Sequence, residues 1–291
     1  QAFYLDEVLS ADPRWGICEV ALQSTGVRDA LAPQGGLYTI AILDKEPAYR
    51  IVGAIKELLV ARESPQAVLG RLVDPATKLV TATITEKGYC LRPDGGLDTA
   101  HPDIQHDLRN PEAPRTLVAY LTQALKQRRQ ARTAPPNIVS CDNLAENGHR
   151  LRRAVVEFAA QHDGELAKWI EAEVAFPCTM VDSITPATDD ALRARVSAAL
   201  GAEDRWPVQR EVFCQWVIED VLRGPTPDWA SVGVTVTNDV AGFVRAKLRL
   251  LNGAHSTLAY VGSLAGFGTV VQAGGDRVLG AFGGGLVGEK L

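Results

Sequence analysis

Lys247, Asn252 and His255 stand together in the stretch KLRLLNGAHS, three chemically able side chains in an otherwise apolar segment. At about 100° per residue an α-helix would set them at about 0°, 140° and 80°, all on one side. Leu248, Leu250 and Leu251 would pack around them, and Gly253 would admit close approach of a cofactor or another backbone. Desolvation disfavours a lysine's ammonium form, so Lys247 in such surroundings could act as a general base near neutral pH. An asparagine amide can donate to an oxygen that is gaining negative charge, and a histidine can orient a substrate. The same spacing also suits a structural reading, with Lys247 reaching solvent, Asn252 starting a kink and His255 satisfied in a core.

A second group of candidates sits where strands should end. SCDNLAENG places Asn143 after an apolar run, TATITEKGY ends in Glu86 and Lys87, and PCTMVDSITP carries Asp182. Open α/β sheets gather ligands at the carboxyl ends of their strands. The alternative for Asp142, Asn143, Asn147 and Gly148 is a turn, the commoner use of these residue types.

The elements that must position these groups follow from the hydrophobic pattern. Strand-like runs at 15–22, 37–43, 78–86 and 137–144 alternate with helix-like stretches, including an amphipathic 48–61 and 116–131, which is the signature of βαβ units with parallel strands. Further helices are expected within 150–173, and Thr188 with Asp189 and Asp190 is expected to cap a helix that Gly201 ends. Strands at 212–220 and 232–239 precede a helix starting near Val240, so the domain boundary is expected between residues 238 and 239. The glycines at 274, 275, 280, 283, 284, 285 and 288 would each weaken a helix by about 1 kcal/mol relative to alanine.

Composition narrows the function classes. The 291 residues, 46% hydrophobic and 22% charged, can bury one large core or two smaller ones. A net charge of −5 argues against a nucleic-acid or anionic-membrane partner, and the basic run Lys126–Arg132 reads as a solvated helix end. Five scattered cysteines with no C-x-x-C pair fit reduced thiols in a cytoplasmic protein and no metal site. No apolar run reaches the roughly 18 residues of a membrane span. A glycine-rich phosphate turn of G-x-G-x-x-G form is absent from the first strand-to-helix turn.

Taken together, TITEKGYC, SCDNLAENGH, FPCTMVDSITPAT, QWVIED and K-x4-N-x2-H within LLNG resemble the polyol-specific long-chain dehydrogenases, the mannitol dehydrogenase and fructuronate reductase family. The resemblance implies an α/β, Rossmann-type nicotinamide-binding domain at 1–238, followed by the start of a mainly α-helical substrate domain at 239–291. It implies metal-independent hydride transfer on a sugar acid or polyol, with Lys247 as general base and Asn143 and Asn252 as amide donors around the reacting oxygen. His255 and Asp182 would bind the sugar, and Thr85, Glu86 and Lys87 the cofactor. TEKGYC, IQHDLRNPEAP and FPCTMVD lie nearest fructuronate reductases, which interconvert D-mannonate and D-fructuronate with NAD; mannitol 2-dehydrogenases are the alternative.

The chain also departs from that family. Ser183 stands where the family often has arginine and Val244 where it has glutamate, so roles at those positions are not carried over. Ala21–Ser24 offers no carboxylate to a ribose 2′-hydroxyl, which leaves NAD resting on the resemblance and NADP open. The family's glycine-rich turn before Gln1 and most of its helical domain are expected to be missing, with the sequence after about Thr269 truncated or out of frame. A catalytically inactive fragment is therefore the second alternative. Oligomeric state is not encoded in any pattern found.

Overall fold

Valine- and isoleucine-rich runs form the strands, and longer amphipathic runs between them form helices, in the alternation expected of βαβ units. The structure is a computed structural model that describes residues 2–44 and 47–281, without the side chains of Leu250, Leu251, Ala254 and Val271. It divides into two units, residues 1–238 and 239–291.

The first unit begins with α1 (Ala2–Ala11), β1 (Ile17–Ala21), α2 (Gly26–Leu31), β2 (Tyr38–Leu43), β3 (Ala48–Val52), β4 (Ile55–Val60) and α3 (Pro65–Val73). It continues with β5 (Leu79–Ala82), α4 (Pro102–Arg109), α5 (Leu117–Gln130), β6 (Asn137–Ser140), α6 (Asn147–Ala160), α7 (Gly164–Glu173) and β7 (Thr179–Asp182). It closes with α8 (Asp190–Leu200), β8 (Val208–Glu211), β9 (Gln215–Glu219) and β10 (Thr235–Thr237).

Pairing is mainly parallel. β1 pairs parallel with β4, β5 with β6, β2 with β8 and β9 with β10. Two antiparallel pairs, β2 with β3 and β7 with β9, make the arrangement mixed. The backbone N–H of Ile138 donates to Ala175 O at 3.0 Å, and Thr179 Oγ1 donates to Ser140 O at 2.6 Å. These bonds lay the chain entering β7 beside β6 and in the same direction.

The amphipathic stretch 48–61, expected as a helix, is instead the two strands β3 and β4. Gly53 and Ala54 interrupt it, its β-branched residues favour extended backbone, and the two halves pair with different partners. Tertiary pairing thus overrides a helical period that a short segment cannot enforce by itself. The predicted cap also moves by one residue: Asp189 Oδ1 accepts the N–H of Leu192 at 2.8 Å, whereas Thr188 Oγ1 donates to Pro207 O. Gly201 ends that helix in the left-handed region, at φ 67°.

The largest apolar core lies where α5, α6 and α7 cover β6, around Leu121, Leu125, Ile138, Leu151, Val155 and Ile170. Each such side chain contributes about 1.5–3 kcal/mol on burial. A second core stacks Trp216 edge-on against Trp229 at 5.1 Å, with Tyr4 beside it.

The second unit contains α9 (Val240–Ala246), a π-helical turn over Lys247–Asn252, α10 (Gly253–Leu264) and α11 (Val270–Gly275). Gly274 and Gly275 therefore end a helix that their composition disfavours, while positions 283, 284, 285 and 288 lie outside the described residues. Among the described residues, no helix is long and apolar enough to cross a membrane.

The basic run at the end of α5 is not simply a solvated helix end. Arg128 is buried, and its guanidinium donates to Leu72 O, Asp74 O, Thr77 O and Ala134 O at 2.5–2.9 Å. One side chain thereby fixes the turn from α3 into β5 against the end of α5. Arg128→Met should lower stability by about 3 kcal/mol, because buried carbonyls lose their donors. The measurement is the urea unfolding midpoint at constant slope; a midpoint equal to that of the parent chain would show that water replaces the guanidinium.

Candidate active site

In the first unit the candidate site is built on the ends of β5, β6 and β7. β6 runs through Ser140 and Cys141 into Asp142, whose carboxylate turns back into the protein. Its two oxygens accept the N–H groups of Ile84 and Thr85 at 3.0 and 2.9 Å, and Tyr89 Oη donates to it at 2.6 Å. Because the phenol proton is committed to Asp142, Ser140 Oγ, 2.5 Å from Tyr89 Oη, is the donor in that pair. Burial, reinforced by the hydrogen bond to Asp142, pushes the Tyr89 phenol well above its ordinary pKa, so it stays a donor throughout the neutral range.

The buried Asn147 closes the other side of this loop. Its amide nitrogen donates to Asp142 O at 2.9 Å and Thr179 O at 3.1 Å, and its Oδ1 accepts from Thr179 N at 2.9 Å. A Cβ on Gly148 would stand 2.4 Å from Pro177 O, so only glycine lets α6 start this close to the segment entering β7. Two non-glycine residues of these loops, Thr85 (φ 63°) and Glu146 (φ 53°), hold left-handed backbone. Such conformations persist where surrounding bonds over-determine them, and they cluster at functional sites.

This frame presents the predicted residues as follows. Asn143 is exposed, directly after the anchored Asp142. Thr85, Glu86 and Lys87 are exposed on a single 3-10 turn that starts at Glu86, beyond the end of β5 at Ala82; Glu86 is thus not itself a strand end. Asp182 is the half-buried last residue of β7, opposite Gln215 of β9. Asp142 joins the Thr85 turn to the Asn143 loop by direct hydrogen bonds. Asp142 and Asn147, weighed from sequence only as turn formers, and Tyr89, not singled out at all, are the groups that position the rest; the recurrence of Asx residues beside a glycine was the signal available.

Lys247, Asn252 and His255 lie in the second unit. Lys247 opens the π-helical turn and Asn252 ends it; both are half-buried, and His255 is exposed in the first turn of α10. Gly253 N donates to Leu248 O, the i to i−5 bond of a π-helix. This changes the angular reading from sequence. With roughly 80° per residue in the turn, Lys247 and Asn252 come within about 40° of each other rather than 140°, and His255 falls back near Lys247. The three share a narrower stripe than a regular α-helix would allow. The apolar setting expected around them is not uniform: Leu248 is 46% exposed, and the side chains of Leu250 and Leu251 lie outside the description.

A cavity of about 780 Å³ also opens in the first unit, between the edges of β1 and β5. Ile17, Cys18 and Val20 line one side, and Leu79 to Ile84 the other. It reaches Ile84 beside the Thr85 turn but includes neither Asn143 nor Asp182, so it is a gap between strand edges that borders the site. Burial and the neighbouring Glu57 carboxylate push the Cys18 thiol up to about 11, which keeps it protonated and poorly nucleophilic.

Asp142→Asn should destabilise the protein by about 2 kcal/mol, because an amide N–H must now face backbone donors that a charged acceptor had satisfied. Amide exchange at Ile84 and Thr85 should accelerate relative to Val217 in β9. Unchanged protection at those two amides would remove Asp142 from its positioning role.

Comparison with known proteins places this geometry in a family. The model of the mannitol dehydrogenase Rossmann domain matches residues 2–231, and that of the mannitol dehydrogenase C-terminal domain matches residues 239–290. The second match runs through the glycine-rich stretch after Thr269, which composition had set outside the family pattern. The uncharacterized oxidoreductase YeiQ of Escherichia coli is 42% identical over 284 residues, covering 95% of this chain and 58% of the relative. The D-mannonate oxidoreductase of Escherichia coli is 42% identical over 279 residues, covering 94% and 57%. The mannitol 2-dehydrogenase of Pseudomonas fluorescens, solved as a ternary complex with NAD and D-mannitol, superposes with a TM-score of 0.89 at 40% identity, covering 97% of this chain and 59% of that one. The chain therefore spans a little under three fifths of the length of these relatives. With an α/β dinucleotide-binding fold followed by helices, and a family match across nearly all its residues, the chain belongs to the mannitol dehydrogenase family.

Proposed function

We propose that this chain carries the chemistry of an NAD-dependent oxidoreductase that interconverts D-mannonate and D-fructuronate. The observation that supports it most is the pairing of Lys247 with Asn252 across the π-helical turn, in a chain whose strand-end loop separately presents Asn143. The sugar acid draws support from the 42% identity to a D-mannonate oxidoreductase. A mannitol 2-dehydrogenase activity on fructose and mannitol is the second reading, supported by the likeness to the solved complex.

In this reading residues 1–238 bind the dinucleotide and residues 239–291 bring the base. The exposed turn Thr85–Lys87 and the Asn143 loop, both fixed by Asp142, hold the nicotinamide end, as ligands of open α/β sheets gather at the carboxyl ends of the strands. Ala21 to Ser24 offers no carboxylate for a ribose 2′-hydroxyl, so preference for NAD over NADP rests on the likeness to the NAD complex. When bound, the nicotinamide supplies the hydride acceptor or donor.

The remaining chemistry belongs to the chain. In oxidation Lys247 Nζ removes the proton of the reacting hydroxyl, and in reduction it returns that proton to the carbonyl oxygen. The amides of Asn143 and Asn252 donate to that oxygen as negative charge builds on it, an arrangement in which each donor typically contributes about 3 kcal/mol. His255 and Asp182 hold neighbouring hydroxyls and set which carbon faces the cofactor.

The test mixes the purified chain with NADH and either fructuronate or fructose and follows nicotinamide absorbance. Faster turnover of fructuronate is expected, and Lys247→Ala should reduce it by about 10²–10⁴-fold while leaving NADH binding intact. Preference for fructose would overturn the substrate, near-normal turnover of the variant would overturn the base, and NADH binding without turnover on either sugar would favour a catalytically inactive binder.

A further inference from the structure

Away from the strand-end loop, three side chains from distant segments converge on one point. His149 lies in the first turn of α6, Cys178 immediately precedes β7, and Glu219 ends β9. Antiparallel pairing sets Thr179 opposite Ile218, which brings Cys178 opposite Glu219. The two residues lock together: Glu219 N donates to Cys178 O at 2.9 Å, and Cys178 N donates to the Glu219 carboxylate Oε2 at 2.8 Å. The tight approach of Gly148 to Pro177 then delivers the next residue, His149, to the same place.

The imidazole nitrogen, the thiol sulfur and a carboxylate oxygen all lie within 4.8 Å of one another, with His149 Nε2 3.8 Å from Glu219 Oε2. Ligand atoms around a tetrahedral zinc ion, at bond lengths of about 2.0–2.3 Å, stand roughly 3.3–3.7 Å apart. The histidine–carboxylate edge is already near that length. The other two edges, both to Cys178 Sγ, need about 1 Å, which small rotations of the Cys178 thiol and of His149, whose side chain is 57% exposed, can supply. A simple His149–Glu219 ion pair would account for two of these groups but not for a buried thiol facing the same point.

We propose that His149, Cys178 and Glu219 form a zinc site, with sulfur, nitrogen and oxygen donors from the chain and a fourth position taken by water. Such a mixed donor set suits a borderline-soft divalent cation and disfavours magnesium or calcium. Binding exchanges the thiol proton for the metal, and that proton passes to solvent. The ion clips α6, β7 and β9 together. Because Asn147, two residues before His149, bridges Asp142 and Thr179, the same clip stiffens the loop that presents Asn143. This site is independent of the proposed hydride transfer, which uses no metal. It also departs from the expectation of no metal site drawn from cysteine spacing, because ligands recruited from three distant segments leave no short motif.

The chelator-stripped chain titrated with cobalt chloride should bind one equivalent, develop a thiolate-to-cobalt charge-transfer band, and lose that band on adding zinc chloride. Cys178→Ser should abolish the band, and Cys18→Ser should keep it. His149→Ala, at an exposed position, should weaken cobalt affinity by at least about tenfold, since even outer-shell losses cost that much. Absence of the band in the parent chain, its survival in Cys178→Ser, or unchanged affinity in His149→Ala would each overturn the site.

Discussion

The candidate site hangs on one buried carboxylate. Asp142 follows β6 into the interior, where an unpaired charge would cost far more than the loop could recover. It is tolerated because two backbone N–H groups and a phenol proton converge on it. Those three donors belong to the segment after β5, so satisfying one charge also joins two neighbouring strand ends. Thr85 holds a positive φ of 63° between its own N–H and Tyr89, both of which donate to that carboxylate.

Asn147 continues the same logic toward β7. Both ends of its amide are engaged, as donor to Asp142 and Thr179 and as acceptor from Thr179, which leaves little freedom at the start of α6. Gly148 then permits a backbone approach that any side chain would block. Exposed, chemically able residues such as Asn143 are therefore carried by a rigid buried frame, which is how a loop can present an amide without losing its direction. Arg128 serves the opposite end of β5 in a comparable way, with one guanidinium satisfying carbonyls from two connections.

In the second unit the corresponding device is the π-helical turn. An α-helix spreads residues five apart around its circumference, and widening the turn brings them toward one line. Lys247 and Asn252 are five apart, so the irregularity falls where it aligns the proposed base with a proposed amide donor. A regular helix of the same sequence would have left the two residues about 140° apart on one side.

Much of this was legible in the amino-acid sequence alone. Alternating apolar runs marked β1, β2, β5, β6 and β7, because strands buried by covering helices need continuous apolar side chains, and α5 and α6 followed from their amphipathic period. The polar ends of those strands and the K-x4-N-x2-H pattern marked the candidate residues, because chemistry restricts which residue types can occupy such places. Tertiary structure decided the rest. Residues 48–61 became strands because two sheets offered hydrogen-bonding partners that local helical period could not match. Arg128 became a buried clamp because carbonyls from distant segments met at its guanidinium, and Asp142 became an anchor because donors more than fifty residues before it in the chain converged on it. Sequence pattern reports what each residue can do locally; which distant groups share its surroundings is settled only by packing.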